Sequence, residues 1–126
     1  MKKIIATNKA PGAIGPYSQG VDCGSFLVTA GQIAIDPATG DLVGEYVATQ
    51  TRQALTNLKA VLEAAGLTMD NVAKTTVCLA HMSDFAAMNA VYAEFFTECS
   101  YPARSAVEVG ALPKGALVEI ETICMK

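Results

Sequence analysis

Residues Tyr101–Glu121 read Tyr-Pro-Ala-Arg-Ser-Ala-Val-Glu-Val-Gly-Ala-Leu-Pro-Lys-Gly-Ala-Leu-Val-Glu-Ile-Glu, and the rest of the chain is read outward from them. Polar and apolar residues exchange at period two over Arg104–Val109 and again over Leu117–Cys124, the signature of two strands with one buried face each. Gly110, Pro113 and Gly115 punctuate the connection between them. Arg104, the only arginine besides Arg52, opens the first strand. Glu119 and Glu121, two apart on the second, project from one face of the sheet. The expectation is a guanidinium and two carboxylates on neighbouring strands. They form either a solvated ion pair at a sheet edge, worth little, or a small-anion site. In the latter, Arg104 grips a planar carboxylate with two hydrogen bonds and a glutamate moves a proton or orients a water. On these residues alone the edge ion pair is the plainer reading.

Composition bounds the alternatives. A chain of 126 residues is expected to form a single domain, residues 1–126, burying roughly two-thirds of its unfolded surface. The 17% of charged residues lies below the usual quarter, and the 52% of hydrophobic residues lies slightly above the usual range. So few charges on a small protein predict that apolar surface is hidden between subunits. The net charge of −3 argues against a nucleic-acid partner. The apolar run Ile4-Ile5-Ala6 is too short for a signal peptide, and no run could span a bilayer. A cytoplasmic protein is therefore expected. Cys23, Cys78, Cys99 and Cys124 include no Cys-x-x-Cys pair and read as reduced small hydrophobes, so neither a metal nor a cofactor is predicted.

From the amino terminus, Ile4-Ile5 makes a short strand, and Ala10–Gly20 is a loop with fixed turns that Ile14 and Tyr17 anchor. Strands follow over Ser18–Asp22 and Phe26–Ile35. Gly31 inside the latter marks a bulge, a close approach to the backbone, or a packing requirement of a neighbouring strand. After a turn at Asp36–Asp41, a helix starts near Val47 with the stripe Ala48, Thr51, Leu55, Leu58, Leu62 and Ala65, and Gly66 stops it. Val72–Leu79 is a β-branched strand. His81 is given no role, having no partner at ligand or catalytic spacing. Ser83-Asp84 is expected to cap a second helix whose core stripe is Phe85, Met88, Tyr92, Phe95 and Phe96, with Asn89 beside it. The fold class predicted is α+β: a mixed, mainly antiparallel sheet with two helices on one face, the other face needing cover.

Four segments then carry a resemblance. Gly15-Pro16-Tyr17-Ser18-Gln19, Ala30-Gly31-Gln32-Ile33, Pro102-Ala103-Arg104-Ser105 with Val107, and Leu112-Pro113 followed by Val118-Glu119-Ile120-Glu121 together resemble the RidA family, also called the YjgF family. The resemblance covers nearly the whole chain and keeps the order and spacing of the motifs. It implies a chorismate-mutase-like fold assembled as a homotrimer, with three clefts between subunits. It also implies an imine deaminase, hydrolysing the reactive 2-imino acids that arise from enamines such as 2-aminoacrylate or 2-aminocrotonate to 2-keto acids and ammonia.

Such chemistry suits the residues found, because an imine carbon is already electrophilic and requires no covalent nucleophile, metal or cofactor. By the resemblance, Arg104 clamps the substrate carboxylate and Glu119 positions a water and shuttles protons. Gly31 and Ala106 contribute backbone groups, Tyr17 closes the cleft, and Asn89 forms a polar wall. The chain departs from some relatives in carrying Ala30 where they have serine and Ala106 where they have cysteine. The runner-up reading is a non-catalytic binder or sensor of small 2-keto acids that uses the same Arg104. A chaperone-like role through exposed apolar surface is a third. Relatives have also been linked to translation inhibition and RNA cleavage; the acidic charge balance ranks that role last.

Overall fold

The computed structural model describes residues 1–126. Its six strands are β1 (Lys3–Ile5), β2 (Gly20–Asp22), β3 (Phe26–Thr29), β4 (Val72–Leu79), β5 (Ala103–Glu108) and β6 (Val118–Met125); its helices are α1 (Val47–Ala64) and α2 (Phe85–Tyr92). The strands form one sheet in the order β1-β2-β3-β6-β4-β5. All neighbours are antiparallel except β4 and β5, which run parallel across the α2 connection. This is the mixed α+β architecture expected.

Alternation divides the sheet into two faces. Val118, Ile120, Thr122 and Cys124 of β6 are buried, as are Thr75, Val77 and Leu79 of β4, and they meet the helices. Here α1 inserts Leu55, Leu58, Val61 and Leu62, and α2 inserts Met88 and Tyr92. The opposite face carries Val28, Ile123 and Val107 along with Glu119 and Glu121. No helix covers it. No helix is long and apolar enough to cross a membrane.

Local chemistry accounts for the element ends. Gly66 takes φ +77, out of reach of most side chains without strain, and lets Leu67 N–H reach the Leu62 carbonyl at 2.9 Å, closing α1. The predicted cap of α2 is corrected: Ser83 and Asp84 lie in a 3-10 turn, Met82–Asp84. Asp84 has φ −85 and ψ 0, not the extended backbone from which a side chain folds back, and it makes no capping hydrogen bond.

The strand expected over Phe26–Ile35 is also corrected. β3 ends at Thr29. Val28 pairs with Ile123, and the next contact with β6 is Gln32 with Ile120, so Thr29, Ala30 and Gly31 face only Glu121 and Thr122. That one-residue excess is a β-bulge. Gln32 and Ile120 then exchange hydrogen bonds at 2.8 and 3.1 Å, which locks the bulge on its far side.

Candidate functional site

The bulge creates a space that Glu119 fills. A Cβ placed on Gly31 would lie 2.8 Å from both Cδ and Oε1 of Glu119. Of the readings open for this glycine, a bulge with close approach is the one observed, and the approaching group is the glutamate side chain. Around the pair lies a cavity of about 390 Å³ whose walls include Tyr17, Ala30, Gln32, Ile33 and Pro113. Burial pushes the Glu119 carboxyl above its ordinary pKa, and the like charge of Glu121 on the same face pushes it further. Cys78, paired across the ladder with Glu119, is held as a thiol: burial raises it first, then Glu119 and Glu121. It is not poised as a nucleophile.

Arg104 sits elsewhere. Its partner across β4 is Thr75, on the helix-facing side, whereas the partner of Glu119 is Cys78, on the open side. β4 lies between the two strands, so the expectation of neighbouring strands is corrected. The residues are displaced by two strand steps and three positions along the sheet, about 14 Å between backbones, and they point to opposite faces. A parallel crossover strand inserted between two segments leaves no trace in the periodicity of either. Within one chain Arg104 is thus too remote to oppose the effect of burial on Glu119.

The guanidinium of Arg104 is well supported. Its carbon stands 4.8 Å from the ring centre of Tyr92 and 5.3 Å from that of Phe85, and Nη1 donates to Asn89 Oδ1 at 2.6 Å. Tyr92 is fixed by a 2.7 Å hydrogen bond between its hydroxyl and that of Thr75. Burial raises the Tyr92 phenol against the opposing pulls of Thr75 and Arg104, which keeps it protonated. Sequence reasoning read Tyr92 as core alone and missed that it is the shelf under Arg104; its i+3 spacing from Asn89 on α2 was the available signal. Asn89, expected as a substrate wall, spends its carbonyl on the guanidinium. Ala106 turns its methyl to the core, leaving only main-chain groups for any ligand.

The structure therefore gathers Tyr17, Gly31 and Glu119 around one cavity, and Arg104 and Asn89 around a separate pocket walled by Tyr101 and Pro102. Arg104 makes no ion pair, and neither does Glu119; the chain's three ion pairs are Arg52–Glu94, Lys59–Glu63 and Lys126–Asp22. A half-buried cation and a half-buried carboxyl are each left outside any ion pair; Lys114, which lines the cavity of Glu119, donates to the Gly40 carbonyl at 3.4 Å instead. No cluster of side chains is arranged to hold a metal ion.

A single mixed sheet with two helices on one face, an uncovered opposite face and a cavity at a bulge beside a desolvated glutamate define a class of small α+β proteins with sites on the sheet. A family model described as Endoribonuclease L-PSP matches residues 7–126. The chain is 57% identical to a RutC family protein of Pyrococcus horikoshii over all of this chain and 99% of that one. It is 54% identical to the 2-iminobutanoate/2-iminopropanoate deaminase of Salmonella typhimurium, again over all of this chain and 99% of that one. Among solved structures, that of E. coli TdcF with bound serine superposes with a TM-score of 0.94 at 48% identity, covering 98% of each chain. The chain belongs to the RidA (YjgF) family.

Proposed function

We propose that this protein hydrolyses small 2-imino acids to 2-keto acids and ammonia, in clefts formed where the β5 edge of one subunit meets the open sheet face of the next in a homotrimer of chorismate-mutase-like architecture. The observation that carries the reading is the pair of uncompensated charges. Arg104 waits on a built cradle with no carboxylate, and Glu119 sits in its cavity outside any ion pair, the one lysine of the lining, Lys114, donating instead to the Gly40 carbonyl at 3.4 Å. A substrate with a carboxylate next to an imine bridges them. The full-length relatives named as deaminases of such imines support the choice of substrate.

In this reading the partner subunit's Arg104 holds the substrate carboxylate through two N–H groups, while Asn89 and the Tyr92 ring fix its plane. Glu119 accepts a hydrogen bond from a water aimed at C2 and takes its proton as the C–O bond forms. The imine nitrogen becomes an amine on a tetrahedral carbon. Glu119 gives the water proton to that nitrogen as the amine forms, then takes the proton of the new hydroxyl and passes it to the same nitrogen, so that the C–N bond breaks and ammonia leaves as the carbonyl forms. A carboxyl whose pKa stands above the usual value suits both halves of that shuttle. Gly31 presents main chain at the cavity wall, Ala106 does so from the β5 edge, and Tyr17 covers the mouth.

The test is turnover of 2-iminobutanoate, released by a dehydratase in the presence of semicarbazide, with the wild type and with Arg104→Ala. The expected result is that the wild type suppresses trapping of the imine and the variant does not. If neither protein alters trapping while 2-oxobutanoate binds the wild type, the protein is a binder of 2-keto acids and the deaminase reading is wrong. The ribonuclease role in the family description gains no support from the charge balance, twelve acidic against nine basic residues.

A further inference from the structure

We infer that Gln19 is a positioning residue for the cavity: its buried carboxamide holds the segment 7–17 in place as the cavity's outer wall. Pro11, Gly12, Ile14 and Tyr17 of that segment line the space beside Glu119. Yet the segment has almost no main-chain support. Between the end of β1 at Ile5 and the start of β2 at Gly20, its one backbone–backbone hydrogen bond within residues 6–17 is local, from Tyr17 N–H to the Gly15 carbonyl at 2.8 Å. Lys9 N–H reaches Thr7 Oγ1, also local. Ala10 packs into the core, but a methyl group fixes depth and not orientation.

Every hydrogen bond that ties the segment to the rest of the molecule comes from Gln19. Its Oε1 accepts from Thr7 N–H at 2.7 Å. Its Nε2 donates to the Thr7 carbonyl at 3.0 Å and to the Pro11 carbonyl at 2.7 Å, with the Ala10 carbonyl a further acceptor at 3.3 Å. An amide has two N–H groups and an acceptor on one rigid plane, so the side chain grips both ends of the 7–11 turn at once. At 5% exposure water competes poorly for these groups, and the bonds cannot be left unmade without penalty.

The same residue reaches the other side of the cavity. Its carbonyl accepts from Ala30 N–H at 2.9 Å, one residue before the glycine against which Glu119 rests. Gln19 thus joins the loop carrying Tyr17 to the bulge carrying Gly31 through a single residue. Displacing it would widen the cavity mouth and move Tyr17 without touching Glu119 or Arg104.

The kinetic part of this inference rests on the deaminase reading; the structural part does not. Two variants separate the contributions: Gln19→Met keeps the volume and removes all the side-chain hydrogen bonds, and Gln19→Glu keeps the acceptor and removes the donor. Amide hydrogen exchange over residues 7–17 is expected to quicken about tenfold in Gln19→Met while α1 stays protected. KM for 2-iminobutanoate should rise about tenfold with kcat changed less than about threefold, because the loop binds and covers but takes no part in bond making. In a Tyr17→Ala background the added effect of Gln19→Met on KM should shrink below about twofold, since the group being positioned is gone. A lower melting temperature with unchanged KM and unchanged exchange would reduce Gln19 to a structural residue and overturn the inference.

Should Gln19→Met not fold, Gln19→Glu and the wild type still decide. 2-Oxobutanoate is expected to slow exchange of residues 7–17 in the wild type and to bind Gln19→Glu more weakly, and failure of either overturns the inference. Absence of wild-type turnover would sink the deaminase reading instead, with exchange and 2-oxobutanoate affinity still judging Gln19.

Discussion

The Glu119 side chain lies close against Gly31, and a single methyl tests what that closeness does. In Gly31→Ala the new Cβ would start 2.8 Å from the Glu119 carboxyl carbon, so the flexible glutamate must swing away. The backbone there is not in the left-handed region, so little folding stability should be lost. Turnover is expected to fall about 100-fold, the usual consequence of misplacing a reacting group by about 1 Å, with the melting temperature nearly unchanged. Steady-state kinetics beside a thermal melt check both halves.

In the proposed mechanism Glu119 also sets a pH dependence. Its folded pKa is raised, first by burial and then by Glu121, so the proton-accepting anion is lost as pH falls at a higher pH than for an ordinary glutamate. Removing the second cause lowers the folded pKa. The acid limb of kcat/KM should therefore move to lower pH in Glu121→Gln, leaving the plateau in place. A limb that stays put, or moves up, would mean that Glu119 does not carry the titration.

At the scale of elements, α1 does more than cover the sheet. Asn57, fully buried in its middle, donates from Nδ2 to the carbonyls of Ile33 and Ile35 at 3.2 and 2.9 Å and accepts from Gln53. It is a strut between the helix and the apolar wall of the cavity. Asn57→Leu leaves the partly buried Ile35 carbonyl without its partner, the Ile33 carbonyl keeping the Ile35 N–H at 2.8 Å, and should cost about 1 kcal/mol, read as a lower denaturant midpoint at unchanged slope.

The same elements mark where sequence reading succeeds. β4 was legible to the residue, because Val72–Leu79 is rich in β-branched residues, and the end of α1 was legible because Gly66 has one common use after a helix. The break in β3 was not. Ile33-Ala34-Ile35 continues an apolar strand pattern, and what interrupts it is a glutamate from a strand 88 residues away. Strand order was equally hidden, since β4 enters between β5 and β6 through contacts no local pattern encodes. The candidate residues could be named one by one, whereas their division into two groups could not. The roles of Gln19 and Tyr92 stayed hidden too, because the partner of a buried amide or phenol is decided by tertiary placement.

Across the whole molecule, apolar side chains remain in water on the open face: Phe26 is 39% exposed, Ile123 44%, Val107 47% and Met125 52%. β5 is an edge strand with an unpaired rim. Both features call for a second copy, and the separation of Arg104 from Glu119 calls for one more strongly, because neither residue can reach the other within its own chain. The measurement that tests this most directly uses two variants expected to be inactive, Arg104→Ala and Glu119→Ala, unfolded together at equal concentration and refolded as a mixture. Each chain then lacks one half of the site. With random assembly, a cleft that takes its arginine from one subunit and its glutamate from the next is intact in about one case in four, so imine turnover should return to about a quarter of the wild-type level. Activity no higher than the sum of the two variants measured apart would place both residues in a single subunit's site and contradict the account.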